Sequence, residues 1–285
     1  MKANQDMTET VAYINRSLQD LYPKGEVQSF TRLIMEHVCR LQPYQLLMGG
    51  GRHLSDTEKH EIHLIVERLK QFEPIQYILG ETSFCGLKFR VNPSVLIPRP
   101  ETEELIECIL NDYDGRKMRI LDIGTGSGCI AISVAHFLPT IEVIAVDISE
   151  EAIQTAEENA RINNAFVSFI QADILYPDID IPGTFDIIVS NPPYVKENEQ
   201  IGMEKNVLQY EPRLALFVPD NDPLLFYRAI ARLAKQKLNV GGALYFEINA
   251  MLGKETVQTL KEEEFTNVEL IRDLSGKDRI IKAQI

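Results

Sequence analysis

The chain has 285 residues, 45% of them hydrophobic and 25% charged, with a formal net charge of −13. That length implies two domains of ordinary size, and the composition excludes a disordered or collagen-like chain. The acidity excludes the broad positive field on which sequence-blind nucleic-acid binding depends.

No segment reaches the run of about 18 apolar residues that a membrane span needs, and the first twenty residues lack the apolar core of a signal peptide. Cys39, Cys85, Cys108 and Cys129 have the spacing of neither a zinc ribbon nor a small disulfide framework, so a reducing cytoplasm is the expected setting. His60 and His63 do not form the His-Glu-x-x-His pattern of a zinc helix, and no metal is expected.

In chain order, apolar residues first recur at helical spacing. Val11, Ile14, Leu18 and Leu21 predict a helix ended by Pro23 and Gly25; Val27, Phe30, Leu33, Ile34, Val38 and Leu41 predict a second, ended by Pro43. Gly49 to Gly51 break the chain. Ser55 with Glu58 reads as a capping box ahead of a third helix carrying Ile62, Ile65, Val66, Leu69 and Phe72. Residues 1–80 therefore read as a small helical domain, nearly neutral with 9 Lys/Arg against 10 Asp/Glu, leaving 20 basic against 32 acidic residues for the remainder. Residues 81–100 read as a hairpin linker around Cys85-Gly86, stiffened by Pro98 and Pro100.

Residues 101–285 open with a helix near Glu101 and then alternate. Strands are expected at Met118–Ile123, Glu142–Val146, Val167–Ile170, Phe185–Ser190 and Ala243–Ile248, and helices at Cys129–Leu138, Glu150–Asn163 and Leu224–Leu238. Such alternation predicts an α/β fold, a mostly parallel twisted sheet with helices on both faces.

The chemistry-bearing residues fall where those strands end. The first strand opens into Gly124-Thr125-Gly126-Ser127-Gly128 ahead of a helix, an arrangement that exposes backbone N–H groups to an electron-rich ligand. The spacing misses the dinucleotide fingerprint, whose third glycine would fall at Cys129. Asp147 ends the second strand, where a carboxylate can accept from two ribose hydroxyls; its alternative as a helix N-cap is better filled by Ser149. Asp173 follows the third strand, either facing the amine of an adenine or serving as a turn residue. The fourth strand, nearly all apolar, runs straight into Asn191-Pro192-Pro193-Tyr194. Two prolines fix the backbone and remove two N–H donors, freeing carbonyls to accept from an NH₂ group. The Asn191 side-chain oxygen beside a rigid carbonyl can hold both hydrogens of a planar amide or aminopurine, and Tyr194 can stack over it.

On these residues the chain resembles the class I S-adenosylmethionine-dependent methyltransferases with an Asn-Pro-Pro-Tyr signature. More specifically it resembles the release-factor glutamine methyltransferases, the HemK/PrmC family. The resemblance is carried by residues 74–80 (PIQYILG), 96–103 (LIPRPETE), 121–130 (LDIGTGSGCI), 189–194 (VSNPPY) and 211–216 (EPRLAL), which span both domains. It implies a class I Rossmann-like catalytic domain that transfers methyl from S-adenosyl-L-methionine, leaving S-adenosyl-L-homocysteine. The acceptor it implies is the side-chain amide nitrogen of the glutamine in the Gly-Gly-Gln loop of peptide chain release factors. It places the methionine part of the cofactor on Gly124 to Gly128, the ribose on Asp147 and the adenine near Asp173 and Ile174. The resemblance also implies that Asn191 touches both cofactor and substrate and that Asn191 to Tyr194 grip the amide. Two departures stand out: Val218-Pro-Asp-Asn-Asp-Pro223 replaces an expected glycine-rich segment, and Asn249 follows Glu-Ile where glycine is expected.

A glutamine methyltransferase of a ribosomal protein would share every catalytic residue. A DNA adenine methyltransferase would need a basic recognition region, yet residues 195–222 hold only Lys196, Lys205 and Arg213 as basic residues. A cofactor-binding module without turnover is the third reading. The release-factor reading expects the glutamine loop to enter between the helical domain and the sheet, bordered by Arg99, Glu101 and Glu103, which either contact the peptide or tie the linker down.

Overall fold

A computed structural model of the chain describes residues 2–41, 53–176 and 180–285; Pro43 and the triplet Gly49 to Gly51 lie outside the described residues. By its internal contacts the chain divides into two compact units. One comprises residues 1–80 with Lys205–Tyr210, the other residues 81–204 and 211–285.

The first unit is helical: α1 (Lys2–Leu18), α2 (Lys24–Cys39), α3 (Asp56–Leu69) and the short α4 (Ile75–Leu79). Ile14 and Leu18 of α1, Ile34 and Met35 of α2, and Ile62, Val66 and Leu69 of α3 bury one core, the single apolar stripe that helical periodicity demands. The expected capping box starts α3: Ser55 Oγ accepts from Glu58 N at 3.2 Å, and Ser55 N donates to Glu58 Oε2 at 2.8 Å. Gly25 ends no helix; it lies in the first turn of α2. A helix leaves its first N–H groups unpaired, so α2 can begin directly behind Pro23. Leu21 consequently falls outside α1 and is exposed. The segment Lys205–Tyr210, distant in sequence, joins this unit: Tyr210 Oη donates to Gln71 O at 2.9 Å, and Lys205 Nζ sits 4.6 Å from the centre of the Phe72 ring.

The second unit begins with a hairpin, β1 (Glu81–Phe84) and β2 (Leu87–Arg90), followed by α5 (Pro100–Asn111), β3 (Arg119–Ile123), α6 (Cys129–Phe137), β4 (Glu142–Asp147), α7 (Glu150–Ile162), β5 (Val167–Gln171) and β6 (Phe185–Ser190). After β6 come β7 (Val195–Lys196), a 3₁₀ turn (Glu197–Gly202), α8 (Lys205–Tyr210, in the helical unit), α9 (Arg213–Leu216) and β8 (Phe217–Val218). The chain closes with α10 (Leu225–Lys237), β9 (Leu238–Glu247), α11 (Gly253–Glu262), β10 (Thr266–Arg272) and β11 (Asp278–Gln284).

Seven strands form one sheet in the order β10-β11-β9-β6-β3-β4-β5, parallel from β9 to β5 and antiparallel at β11 and β10. The expected α/β class and mostly parallel sheet are present. Side chains alternate across the strands. Leu121 and Ile123 of β3 pack on one face with Tyr227 and Ile230 of α10 and Leu260 of α11. Ile120 packs on the other with Leu105 and Ile109 of α5 and Ile132 of α6. Phe84 and Phe89 are buried in that second core, so the hairpin is built into this unit. The sequence patterning does not reveal α11 or the β10–β11 hairpin.

Parallel register brings the strand ends level. Ile123 pairs with Val146 and Ser190, and Asp147 pairs with Gln171. The residues that follow, Gly124, Ile148, Ala172 and Asn191, therefore emerge along one carboxyl edge, the position where open α/β sheets bind ligands.

Candidate active site

A cavity of about 420 Å³ lies at this edge, within the second unit. Ten of the twelve residues expected at the site line it: Gly124, Thr125, Gly126, Ser127, Asp147, Asp173, Ile174, Asn191, Pro192 and Pro193. Gly128 and Tyr194 do not.

The glycine loop is fastened from below. The N–H groups of Gly124 and Thr125 donate to Val146 O at 2.8 and 3.0 Å, and Gly126 N donates to Asp147 Oδ2 at 2.8 Å. The other oxygen of Asp147 accepts from Ser149 N at 3.0 Å, and Ser149 Oγ caps α7 by accepting from Ala152 N at 3.1 Å. Asp147 thus shapes the loop as well as facing the cavity. Burial raises its carboxyl above the ordinary range, and the Ser149 and Gly126 N–H groups oppose that rise. Asp173 lines the cavity while making a turn, its Oδ1 accepting from Leu175 N at 2.9 Å.

Two buried polar residues complete the loop's support. Asp122 Oδ2 accepts from Thr125 Oγ1 at 2.6 Å and Ala131 N at 3.2 Å, while burial pushes its carboxyl up to about 7. Asn159 of α7 accepts from Arg90 N at 2.6 Å and donates to Arg90 O and Ser127 O at 3.0 and 2.9 Å, tying hairpin to glycine loop. An acid inside the apolar strand of residues 119–123 is the signal that could have exposed Asp122; Asn159 carries none, because its partners are distant in sequence.

At the end of β6, Asn191 Nδ2 donates to Thr102 Oγ1 at 3.4 Å, and Thr102 Oγ1 donates to Glu247 Oε2 at 2.6 Å. Tyr194 turns its hydroxyl toward the other oxygen of Glu247, at 3.5 Å, and its ring packs against the core under α10. The stacking face expected of Tyr194 is therefore not part of the cavity wall. Burial raises both the Tyr194 phenol and the Glu247 carboxyl. Asn249, one of the two departures, braces the turn after Asn191-Pro192-Pro193. Its Nδ2 donates to Tyr194 O at 3.2 Å and its Oδ1 accepts from Met251 N at 2.9 Å. The other departure is anchored at Asp220, which accepts from Asn198 N at 2.9 Å, and at Asp222, which pairs with Arg228 at 2.6 Å.

Arg99 ties down the chain entering α5. Its Nη2 meets Glu211 Oε1 at 2.5 Å, and the Glu211 side chain is only 1% exposed. Burial raises the Glu211 carboxyl and the Arg99 charge opposes it. Glu103 Oε1 accepts from Cys85 N at 2.7 Å. Both residues are thus engaged by the protein itself.

The cavity suits the cofactor implied by the resemblance. Its volume lies in the range of small-molecule sites. Ile148, Ile174, Ala172, Phe226 and Ile230 offer apolar walls for an adenine ring, and Asp147 offers an acceptor. A Cβ added to Gly124 or Gly126 would meet no protein atom within 4 Å, so backbone there lies open to a ligand. Among the described residues no cluster of three or more His, Cys, Asp or Glu could hold a metal ion, and no helix is long and apolar enough to cross a membrane.

Residues 9–80 match the family model described as PrmC N-terminal domain, and residues 100–210 match Methyltransferase small domain. A release factor glutamine methyltransferase of Bacteroides thetaiotaomicron is 49% identical over 278 residues, covering 97% of this chain and 99% of that protein. One of Flavobacterium psychrophilum is 48% identical over 271 residues, covering 94% and 95%. The crystal structure of a methyltransferase from Pyrococcus furiosus shares the fold, with a TM-score of 0.52 at 19% identity over 81% of this chain and 100% of that one. Near-full-length identity at this level, joined to a glycine loop and an Asn-Pro-Pro-Tyr turn on one cavity, shows that the chain belongs to the release factor glutamine methyltransferases.

Proposed function

We propose that the protein transfers a methyl group from S-adenosyl-L-methionine to the side-chain amide nitrogen of the glutamine in the Gly-Gly-Gln loop of peptide chain release factors, in the cytoplasm. The observation that carries the reading is the shared cavity: Asn191 and Pro192 wall the same space as Gly124 to Ser127 and Asp147. When bound, the cofactor supplies a methyl on a positively charged sulfur. Gly124 to Ser127 and Asp147 hold it, with Asp173 and Ile174 beside the adenine.

What the protein must do is present a poor nucleophile. An amide nitrogen has its lone pair delocalised into the carbonyl, so acceptors on both N–H groups and a fixed plane contribute most. Asn191 Oδ1 and the Pro192 carbonyl are those acceptors. Consecutive prolines leave no neighbouring N–H to compete for them. No histidine lines the cavity, and none is required for this positioning. Residues 1–80 form the surface on which the folded release factor docks, residues 81–100 lead into the catalytic unit with their hairpin packed in its core, and residues 101–285 carry the chemistry.

Incubation with methyl-labelled S-adenosylmethionine and a release factor, either wild type or with its loop glutamine replaced by alanine, tests this reading. Label is expected on the wild-type factor alone. Label on both factors, or on neither, contradicts it.

A further inference from the structure

We propose that Thr102 and Glu247 are positioning residues which set the direction of the Asn191 side-chain amide, so that its oxygen and not its NH₂ faces the substrate. The inference deepens the glutamine-amide reading and rests on it. Asparagine carries an acceptor and a donor of nearly the same shape. If it faced the substrate with its NH₂ it would repel an amide N–H, so the turn at β6 works only if one orientation is imposed.

The imposed orientation follows from a chain of three hydrogen bonds with a fixed sense. Glu247 is 1% exposed, and two hydroxyls approach it, Thr102 Oγ1 at 2.6 Å on one oxygen and Tyr194 Oη at 3.5 Å on the other. Two donors on two oxygens suit an ionised carboxylate, which can only accept, and together with the Arg279 charge they oppose the upward push of burial on Glu247. Thr102, also 1% exposed, has a single hydroxyl proton, and that proton is committed to Glu247. Toward Asn191, 3.4 Å away, the Thr102 oxygen can only accept, so Asn191 must turn its NH₂ to it. Asn191 Oδ1 has no partner among the described residues and is left for the cavity that Asn191 lines. Glu247 does not line the cavity; Thr102 does, and its part is to hold the Asn191 amide in place.

The arrangement joins segments far apart in the chain. Thr102 stands in the first turn of α5, Glu247 ends β9 and Asn191 follows β6. The family resemblance covers residues 96–103 but implies no part for Thr102 in the reaction. A buried acid at the end of the apolar run of residues 243–246 is otherwise costly, since its desolvation is offset only by well-placed donors.

The test compares wild type, Thr102→Val, Thr102→Ser and Glu247→Gln, each alone and each combined with Asn191→Ala, in methylation of a release factor. Cofactor affinity is measured separately by calorimetry. Thr102→Val removes the hydroxyl; Glu247→Gln adds a donor that can reverse the chain. Both are expected to lower kcat about 10- to 100-fold, the scale of a misoriented reacting group, with cofactor Kd and the KM for release factor nearly unchanged. Thr102→Ser, which keeps the hydroxyl, restores most of the rate. In the Asn191→Ala background neither substitution lowers the rate further, because residues acting as a unit are non-additive. Wild-type kcat in both Thr102→Val and Glu247→Gln, equal loss in Thr102→Ser and Thr102→Val, or additive losses with Asn191→Ala would each overturn the proposal. If Thr102→Val fails to fold, Glu247→Gln decides alone. A wild type that binds cofactor but leaves the release factor unmethylated would instead overturn the glutamine reading and the proposal with it.

Discussion

Asn191→Ala is expected to lower kcat for release-factor methylation by about 10²- to 10⁴-fold, the range for losing one fixed polar contact together with correct orientation at a reacting centre. Cofactor affinity should change little, because Gly124 to Ser127, Asp147 and the apolar walls of the cavity remain. The split arises from where Asn191 stands. It follows the last residue of β6, whose Ser190 Oγ donates to Ile123 O at 2.6 Å and so fixes the strand end to β3. The alanine variant keeps that backbone and the Pro192 carbonyl but loses Oδ1, one of the two acceptors proposed for the amide hydrogens. Stopped-flow or quenched methylation assays beside calorimetric titration of the cofactor separate the two effects. A variant that methylates at near wild-type rate would show that Asn191 does not hold the substrate amide.

Gly128→Ala and Gly126→Ala are expected to fail in different ways. Gly128 is the N-cap of α6 with φ +80°, and an added Cβ would lie 2.7 Å from Ile132 Cδ1 and 3.1 Å from Ala156 Cβ. Both neighbours are fully buried, so neither has room to retreat. Left-handed backbone costs an L-residue about 1–2 kcal/mol and overpacking about 1–3 kcal/mol, giving a loss of about 2–5 kcal/mol. Gly126 has φ +55° and open space around its Cβ position. Its alanine variant should lose only about 1–2 kcal/mol of stability, while the new methyl narrows the cavity that Gly126 lines and weakens cofactor binding. Denaturant unfolding and cofactor titration on both variants check this; comparable stability losses with unchanged cofactor affinity in Gly126→Ala would contradict it.

What the sequence makes legible is the part of the site built from adjacent residues. The glycine loop, Asp147 and Asn191-Pro192-Pro193 declare themselves because each is a short run placed directly at a strand end, and β6 follows its expected bounds at Phe185–Ser190. The capping box at Ser55 and the helix starts at Cys129 and Glu150 are local in the same sense. The supporting residues are not. Thr102 meets Glu247 across 145 positions, Arg99 meets Glu211 across 112, and Asn159 meets Arg90 across 69. No spacing rule pairs residues so far apart, since their contact depends on the order in which strands assemble. Tyr194 shows the same limit in reverse: its neighbours in sequence suggest a stacking face, whereas Glu247 and the core under α10 take up its hydroxyl and ring. The short β7, α8, α9 and β8 carry too few residues for any periodicity, and β10 and β11 contain irregular register that blurs alternation.

The most direct measurement is mass spectrometry of a release factor after reaction with the wild-type protein and S-adenosylmethionine, with fragmentation that locates the added methyl. A single methyl on the side-chain amide nitrogen of the Gly-Gly-Gln glutamine, absent when Asn191→Ala replaces the wild type, is the predicted result. A methyl on any other atom of the release factor, or equal modification by the Asn191→Ala variant, would contradict the account.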